Sequence, residues 1–177
     1  LIRDTNNLIV AQNLFIDAED AGVTSTSGLR GQPRPIAGHT NDGRGNRVHN
    51  NIFHGVGRAA IEFTYAFNQS DGNVFSRMPA SGFLRVLRPE PQEWLDLGYW
   101  REQHGWDKTG AMVEFEIAFD AGTLELTLVP TSKLTLAPLF NGIGTDLFGK
   151  ATGATRLPGP FADLAHGYQR RNIDPRK

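Results

Sequence analysis

Asparagine recurs in this chain within one repeated phrase, and that repetition limits the fold more than any other feature. The phrase occurs as Asn7-Leu8-Ile9-Val10-Ala11-Gln12-Asn13-Leu14-Phe15, as Asn46-Arg47-Val48-His49-Asn50-Asn51-Ile52-Phe53 and as Asn68-Gln69-Ser70-Asp71-Gly72-Asn73-Val74-Phe75. Each copy sets an Asn before an apolar pair and spaces its asparagines by five or six residues. Asn51 and Asn73 lie 22 positions apart. A period of roughly 20 to 30 residues marks solenoids, β-helices among them. Asn suits the bends of such a coil because it tolerates left-handed backbone and hydrogen-bonds locally. Stacked at one place in successive coils, its amides can also bond one another along the pile.

Residues 7–17 read as one coil, with Ile9, Leu14 and Ile16 inward. Residues 18–45 break the rhythm with Gly22, Gly28, Gly31, Pro33, Pro35, Gly38, Gly43 and Gly45. That segment predicts an irregular coil with one projecting loop, and long loops in compact folds are usually functional or mobile. Order returns over 46–88. There Ile61, Phe63 and Tyr65 alternate with Glu62 and Thr64 as a strand requires. Trp94, Leu97, Trp100 and His104 recur at helical spacing over 92–104, with Gly105 as the stop. Strands are expected at 112–117 and 124–128, joined by the turn Asp120-Ala121-Gly122-Thr123. Beyond Pro130 the chain reads as loop-rich, and the tail from Arg170 to Lys177 as polar and frayed.

At 177 residues the chain is one ordinary domain or part of one. We divide it into coils over 1–90 and, in the same domain, a helix with C-terminal strands and a loop-rich tail over 91–177. The formal net charge of -1 and the absence of a Lys/Arg run argue against nucleic acid as a partner. There is no cysteine, hence no disulfide framework and no thiolate metal site. No apolar run reaches the ~20 residues that cross a bilayer, so no membrane partner is expected. The Asn pattern starts almost at Leu1, and residues 1–6 are too short for the cap that an open coil needs. The expectation is that the chain enters in mid-solenoid, with N-terminal coils supplied by another chain or fragment.

Glu62 is the first candidate for chemistry. It sits mid-strand, opposite the apolar alternation, so it is expected on the outer coil surface, where a general acid can meet a bound glycan. A solvated Glu, or one paired with Arg58 or Arg85, is the alternative. Asp42 is the second candidate. A 22-residue step back from Glu62 lands on Thr40, and Asp42 keeps the same side of a strand. Coils stack at about 4.8 Å, near the roughly 5–5.5 Å that separates the two carboxyl groups of retaining glycosidases. Asp42 also lies in Asn41-Asp42-Gly43, a common turn that needs no function. His39, Arg44, Arg58 and Tyr65 are candidate substrate-binding residues. His39 suits a sugar hydroxyl, Arg44 and Arg58 (with Arg47) the carboxylates of an acidic glycan, and Tyr65 with Phe67 a stacking platform. Trp94, Tyr99, Trp100 and Trp106 read first as a packing face. Asp17, Glu19 and Asp20 form an oxygen-rich cluster of the kind that can hold calcium, but no contiguous calcium loop is present. The expectation is therefore no cofactor, with calcium as the alternative. No His spacing matches a zinc site.

The Asn-x-x-Asn-apolar-Phe coils, the helix leading to Gly105-Trp106-Asp107, and the ending Asp146-Leu147-Phe148-Gly149-Lys150 then Pro158-Gly159-Pro160-Phe161 carry a family resemblance. The chain resembles the C-terminal part of right-handed parallel β-helix carbohydrate-active proteins. Within that group it is similar to the β-helix β-xylosidases of glycoside hydrolase family 120, which carry a strand Glu followed nine residues later by Asp-Asn-Asn-apolar-Phe. Here Glu62 is followed at that spacing by Asp71-Gly72-Asn73-Val74-Phe75. The family's His-Gly-Pro after the Glu is missing, and this chain has Tyr65-Ala66-Phe67. The resemblance implies an all-β, single-stranded right-handed parallel β-helix with one short helix and a C-terminal β-rich extension. It implies Glu62 as acid/base and Asp42 as nucleophile, a carbohydrate substrate, and a secreted or periplasmic location. The expected activity is a glycoside hydrolase acting on a polysaccharide or oligosaccharide. A polysaccharide lyase using Arg44, Arg47 or His39, and a non-catalytic glycan-binding protein, are the alternatives.

Overall fold

The structure, a computed structural model, describes residues 2–3, 5–26, 34–36, 39–41, 43–89, 93–140, 142–174 and 176. It is mostly β. Among the described residues there are eighteen strands, β1 to β18, and one helix, α1. Eleven of the strands build three parallel sheets. The first pass of the chain lays β2 (Ile9–Ala11), β3 (Leu14–Ile16) and β4 (Ala21–Thr26) into one sheet each. The second lays β7 (Arg47–His49), β8 (Ile52–His54) and β9 (Ala59–Tyr65) beside them, and the third β10 (Gln69–Asp71), β11 (Val74–Ser76) and β12 (Leu84–Arg88). Strand β1 (Ile2–Arg3) pairs with β4 on the side away from β9.

Between the second and third passes the asparagines step by 22 residues, and between the first and second by 38. The longer step is the same at all three sheets: Ile9 lies opposite Arg47, Leu14 opposite Ile52 and Val23 opposite Ile61. The extra residues therefore all fall between β4 and β7. The antiparallel pair β5 (Arg34–Ile36) and β6 (His39–Asn41) lies there in the sequence. This corrects the 22-residue step applied to Glu62. Its neighbour in the preceding pass is Thr24, not Thr40, and in the following pass it is Arg85.

The inside of the stack is made by the middle residues of the short strands. Phe15, Phe53 and Phe75 pile ring on ring, at 4.8 and 5.6 Å between centroids, close to the ~4.8 Å strand spacing. Beside them runs an amide ladder. Asn51 Oδ1 accepts from the backbone N–H and the side-chain Nδ2 of Asn13 at 2.9 and 3.1 Å. Asn73 Oδ1 accepts the same two bonds from Asn51, both at 3.0 Å. Each bend before this ladder holds a residue at positive φ: Gln12 at 63°, Asn50 at 52° and Gly72 at 68°. These are residue types, Gln12 apart, that enter left-handed backbone readily.

Helix α1 (Leu97–His104) closes the end of the third pass. Asp96 caps it by accepting the Tyr99 N–H, and Gly105 ends it in left-handed backbone. Its buried face sets Trp100 near the inward Phe63, with Trp106 edge-on to the same ring at 5.6 Å. The chain then adds β13 (Ala111–Met112) beside β11. The single strand expected over 112–117 is broken at Val113-Glu114, where parallel pairing gives way to antiparallel. The expected hairpin follows as β14 (Phe115–Asp120) and β15 (Glu125–Pro130). Of the tail expected to fray, Arg170, Arg171 and Asn172 are instead in the sheet: β18 (Gln169–Asn172) pairs with β15. The short pair β16 (Ala137–Pro138) and β17 (Thr155–Arg156) lies between them in sequence. This extension covers the outer face of the β3–β8–β11 sheet. Ile52 and Val74, which point away from the phenylalanine stack, form a second core with Phe115, Leu126, Leu128 and Phe161, and Leu14 and Ile16 pack against it. This corrects the inward placement of Leu14, Ile16 and Ile9, since Phe15 between the first two takes the inside and Ile9 is 41% exposed.

Candidate functional site

Glu62 does point away from Ile61 and Phe63, but it is not on an open surface. It is 4% exposed. Its Oε2 accepts from Arg58 Nη1 at 2.6 Å and from Arg85 Nε and Nη2 at 2.8 and 2.5 Å. Arg58 also donates to both carboxylate oxygens of Asp20. The indole of Trp94 lies under both cations, 4.2 Å from the Arg85 guanidinium carbon and 5.8 Å from that of Arg58. The sequence produces this cluster through register. Thr24, Glu62 and Arg85 share one rung, and Arg58 stands four residues before Glu62. Bonding to Asp20 and then Glu62 raises the Arg58 pKa further, and bonding to Arg58 holds Asp20 below the usual carboxylate range.

Of the other expected site residues, Asp42 lies outside the described residues, and His39 is described only in its backbone, within β6. The 22-residue argument that set Asp42 beside Glu62 fails on the register already given. Arg58 belongs to the Glu62 cluster. Arg44 and Tyr65 come together elsewhere, around Phe67. The guanidinium of Arg44 lies 5.1 Å over the Phe67 ring, the Tyr65 ring is 6.0 Å from it, and Phe67 is 62% exposed. Beside Ala66, between the two aromatic residues in sequence, opens a cavity of about 340 Å³ lined in part by Arg88, Glu93, Gln103 and His104.

Asp17 bonds Arg77 at 2.5 Å and Asp20 bonds Arg58, so two acids of the expected calcium cluster face arginines. Among the described residues no group of three or more His, Asp or Glu side chains is placed to hold a metal ion. His49 is stacked on Phe140 at 4.0 Å, and burial pushes its pKa down to about 4. His54 meets Ser76 Oγ at 3.2 Å and is likewise lowered by burial.

The acid that the sequence reading passed over is Asp107. It is fully buried, and burial raises its pKa to about 6. Its Oδ1 accepts from the Asn73 N–H and Nδ2 at 3.0 and 2.8 Å. Its Oδ2 accepts from Ser70 Oγ at 2.5 Å and faces Trp100 Nε1 at 3.3 Å. Asp107 thus takes the next place in the ladder Asn13–Asn51–Asn73. Gly110, the residue before β13, leaves that place free: a Cβ there would come within 3.0 Å of Asp107 Oδ1. The signal was present in Gly105-Trp106-Asp107, but an Asp so far from the third Asn does not look like a rung.

Comparison with known protein families, curated proteins and solved structures gives no match. Among the described residues no helix is long and apolar enough to cross a membrane.

Proposed function

We propose that the chain is a right-handed parallel β-helix protein, secreted or periplasmic, whose stack is a rigid platform for binding glycans. The observation that carries this reading is the Arg44–Phe67–Tyr65 surface. An aromatic face left 62% exposed is suited to stacking on a sugar ring. The cavity that Ala66 lines adds polar side chains to apolar walls, which can fix a ligand's orientation.

Binding is favoured over cleavage by the state of Glu62. A general acid must bring an oxygen within about 3 Å of the bond it protonates. Oε2 of Glu62 instead receives three guanidinium N–H groups in a 4% exposed position. Titration calorimetry against neutral and uronate-containing polysaccharides tests the proposal. Phe67→Ala is expected to weaken binding about tenfold or more, a loss of ~1.4 kcal/mol, with an unchanged Tm. Lack of affinity for every glycan, or affinity indifferent to Phe67→Ala, overturns it. Reducing-end release that Glu62→Gln abolishes would establish hydrolysis in its place, and an ultraviolet-absorbing unsaturated product would establish lysis.

A further inference from the structure

A second cavity, of about 410 Å³, lies between the outer face of the first pass and the C-terminal extension. Its walls are mainly apolar, with Leu14, Ile16, Leu126 and Phe161 among them, and of the polar residues that also line it, which include Asn13, Thr145 and Asp146, two stand out: Gln12 and Arg156. Both are in unusual states. Arg156 is 2% exposed. It donates to the backbone carbonyls of Thr145 at 2.8 Å, Gly159 at 3.0 Å and Leu157 at 3.3 Å. Among the described residues no carboxylate comes within ion-pair distance of it. Asp146, which also lines the cavity, is held by the backbone N–H groups of Phe148, Lys150 and Ala162 at 2.9, 2.8 and 3.1 Å. A buried guanidinium that Asp146 stabilises only at a distance, with no direct ion pair, is costly, and its five N–H groups exceed the three carbonyls it meets.

Gln12 supplies the independent observation. Its Nε2 and Oε1 are both buried and have no hydrogen-bond partner among the described residues. The corresponding bend residue of the next pass, Asn50, donates instead to Pro138 O at 3.0 Å. The first pass therefore presents an unsatisfied amide where the second has a satisfied one. Buried polar groups in folded proteins are almost always paired.

We infer that this cavity binds a small organic acid with an apolar body. The carboxylate pairs with Arg156 and takes the Gln12 amide N–H, and the hydrocarbon part lies against Leu14, Ile16, Leu126 and Phe161. The volume suits a ligand of modest size, since small-molecule sites span roughly 300–1,000 Å³. A neutral sugar matches these walls poorly. This site is independent of the Phe67 surface and of its proposed role.

The probes are octanoate and 1-octanol, added to the intact chain and followed by amide chemical-shift mapping and titration calorimetry. Octanoate is expected to saturate one site, to move the Leu14, Ile16 and Phe161 amide signals, and to bind at least tenfold tighter than 1-octanol. Gln12→Leu is expected to weaken octanoate several-fold with little change in Tm. Arg156→Met is expected to abolish the preference for the acid. Should Arg156→Met fail to fold, the octanoate–octanol ratio and Gln12→Leu still decide. Absence of saturation, equal binding of acid and alcohol, or shifts confined to other residues overturns the inference.

Discussion

Glu62 and Asp107 are both buried acids at the stack, and the sequence treats them in opposite ways. Glu62 stands on the outer face of the β4–β9–β12 sheet among arginines, and every bond to its Oε2 comes from a cation. Asp107 stands at the end of the asparagine ladder and meets only neutral donors. Opposite charge compensates the lost hydration of Glu62. The bonds to Ser70 and Asn73 offset only part of the effect of burial on Asp107, and its pKa rises to about 6. One acid joins a surface network and the other ends an internal one. An unusual carboxylate at this stack is therefore explained first by where the register puts it.

Removing each acid should separate them, and Asp107→Ala should be the larger loss. It strips the Asn73 N–H and one Nδ2 hydrogen of their acceptor and opens a void against Trp100. At ~1–3 kcal/mol for each orphaned buried donor plus the cavity, the cost is about 4 kcal/mol by urea denaturation. A loss below about 1 kcal/mol would mean that the ladder does not need its last rung.

The next largest effect is in pH. The folded pKa of Asp107 is raised from 3.8 to about 6. The native state therefore holds more protons than the unfolded state in that window, and this group's contribution to stability falls as pH rises from about 4 to 6. The span amounts to roughly 2–3 kcal/mol. His49 acts in the other direction. Its folded pKa is lowered from 6.5 to about 4, so its contribution is complete above 6.5 and is lost as pH falls towards 4. His54 and His104 are lowered by burial as well and add to that direction. Asp107→Asn should unmask a stability that climbs with pH between about 4 and 6.5, and His49→Gln should steepen the decline due to Asp107. Denaturation midpoints at half-unit pH steps read both slopes. Parallel profiles for wild type and Asp107→Asn would remove Asp107 from this balance.

Glu62→Gln should be the mildest, about 2 kcal/mol. Removing one member of a fully buried pair costs ~3–5 kcal/mol, but the Arg85 and Arg58 side chains are 18% and 34% exposed and water recovers part of the difference. The loss should shrink in 1 M salt, whereas that of Asp107→Ala should not. Equal salt responses would erase the contrast between the two acids.

The repeating part was legible because its rules are local. The Asn-apolar-Phe phrases became rungs, Ile61 and Phe63 turned inward, and Gly105 ended the helix. Interruption hid the rest. The insertion between β4 and β7 carries no mark of where the stack resumes, so a uniform 22-residue step gave Glu62 the wrong neighbour. Alternation showed the direction of Glu62, and Arg58 and Arg85 were named as its alternative partners, but nothing showed Trp94 lying against both arginines. Arg170 to Asn172 are polar enough to look free, yet backbone bonds to β15 need no apolar side chain. Asp107 depends on Ser70 and Asn73, both distant in sequence, and no short window contains them.

The constant offset between the first two passes also bears on how such a chain can change. Because the whole excess sits at one corner, between Thr26 and Arg47, length added there alters neither the Phe53 pile nor the Asn51 rung. The corner is a natural graft site, where a foreign peptide can be displayed while the wall behind it keeps its alignment.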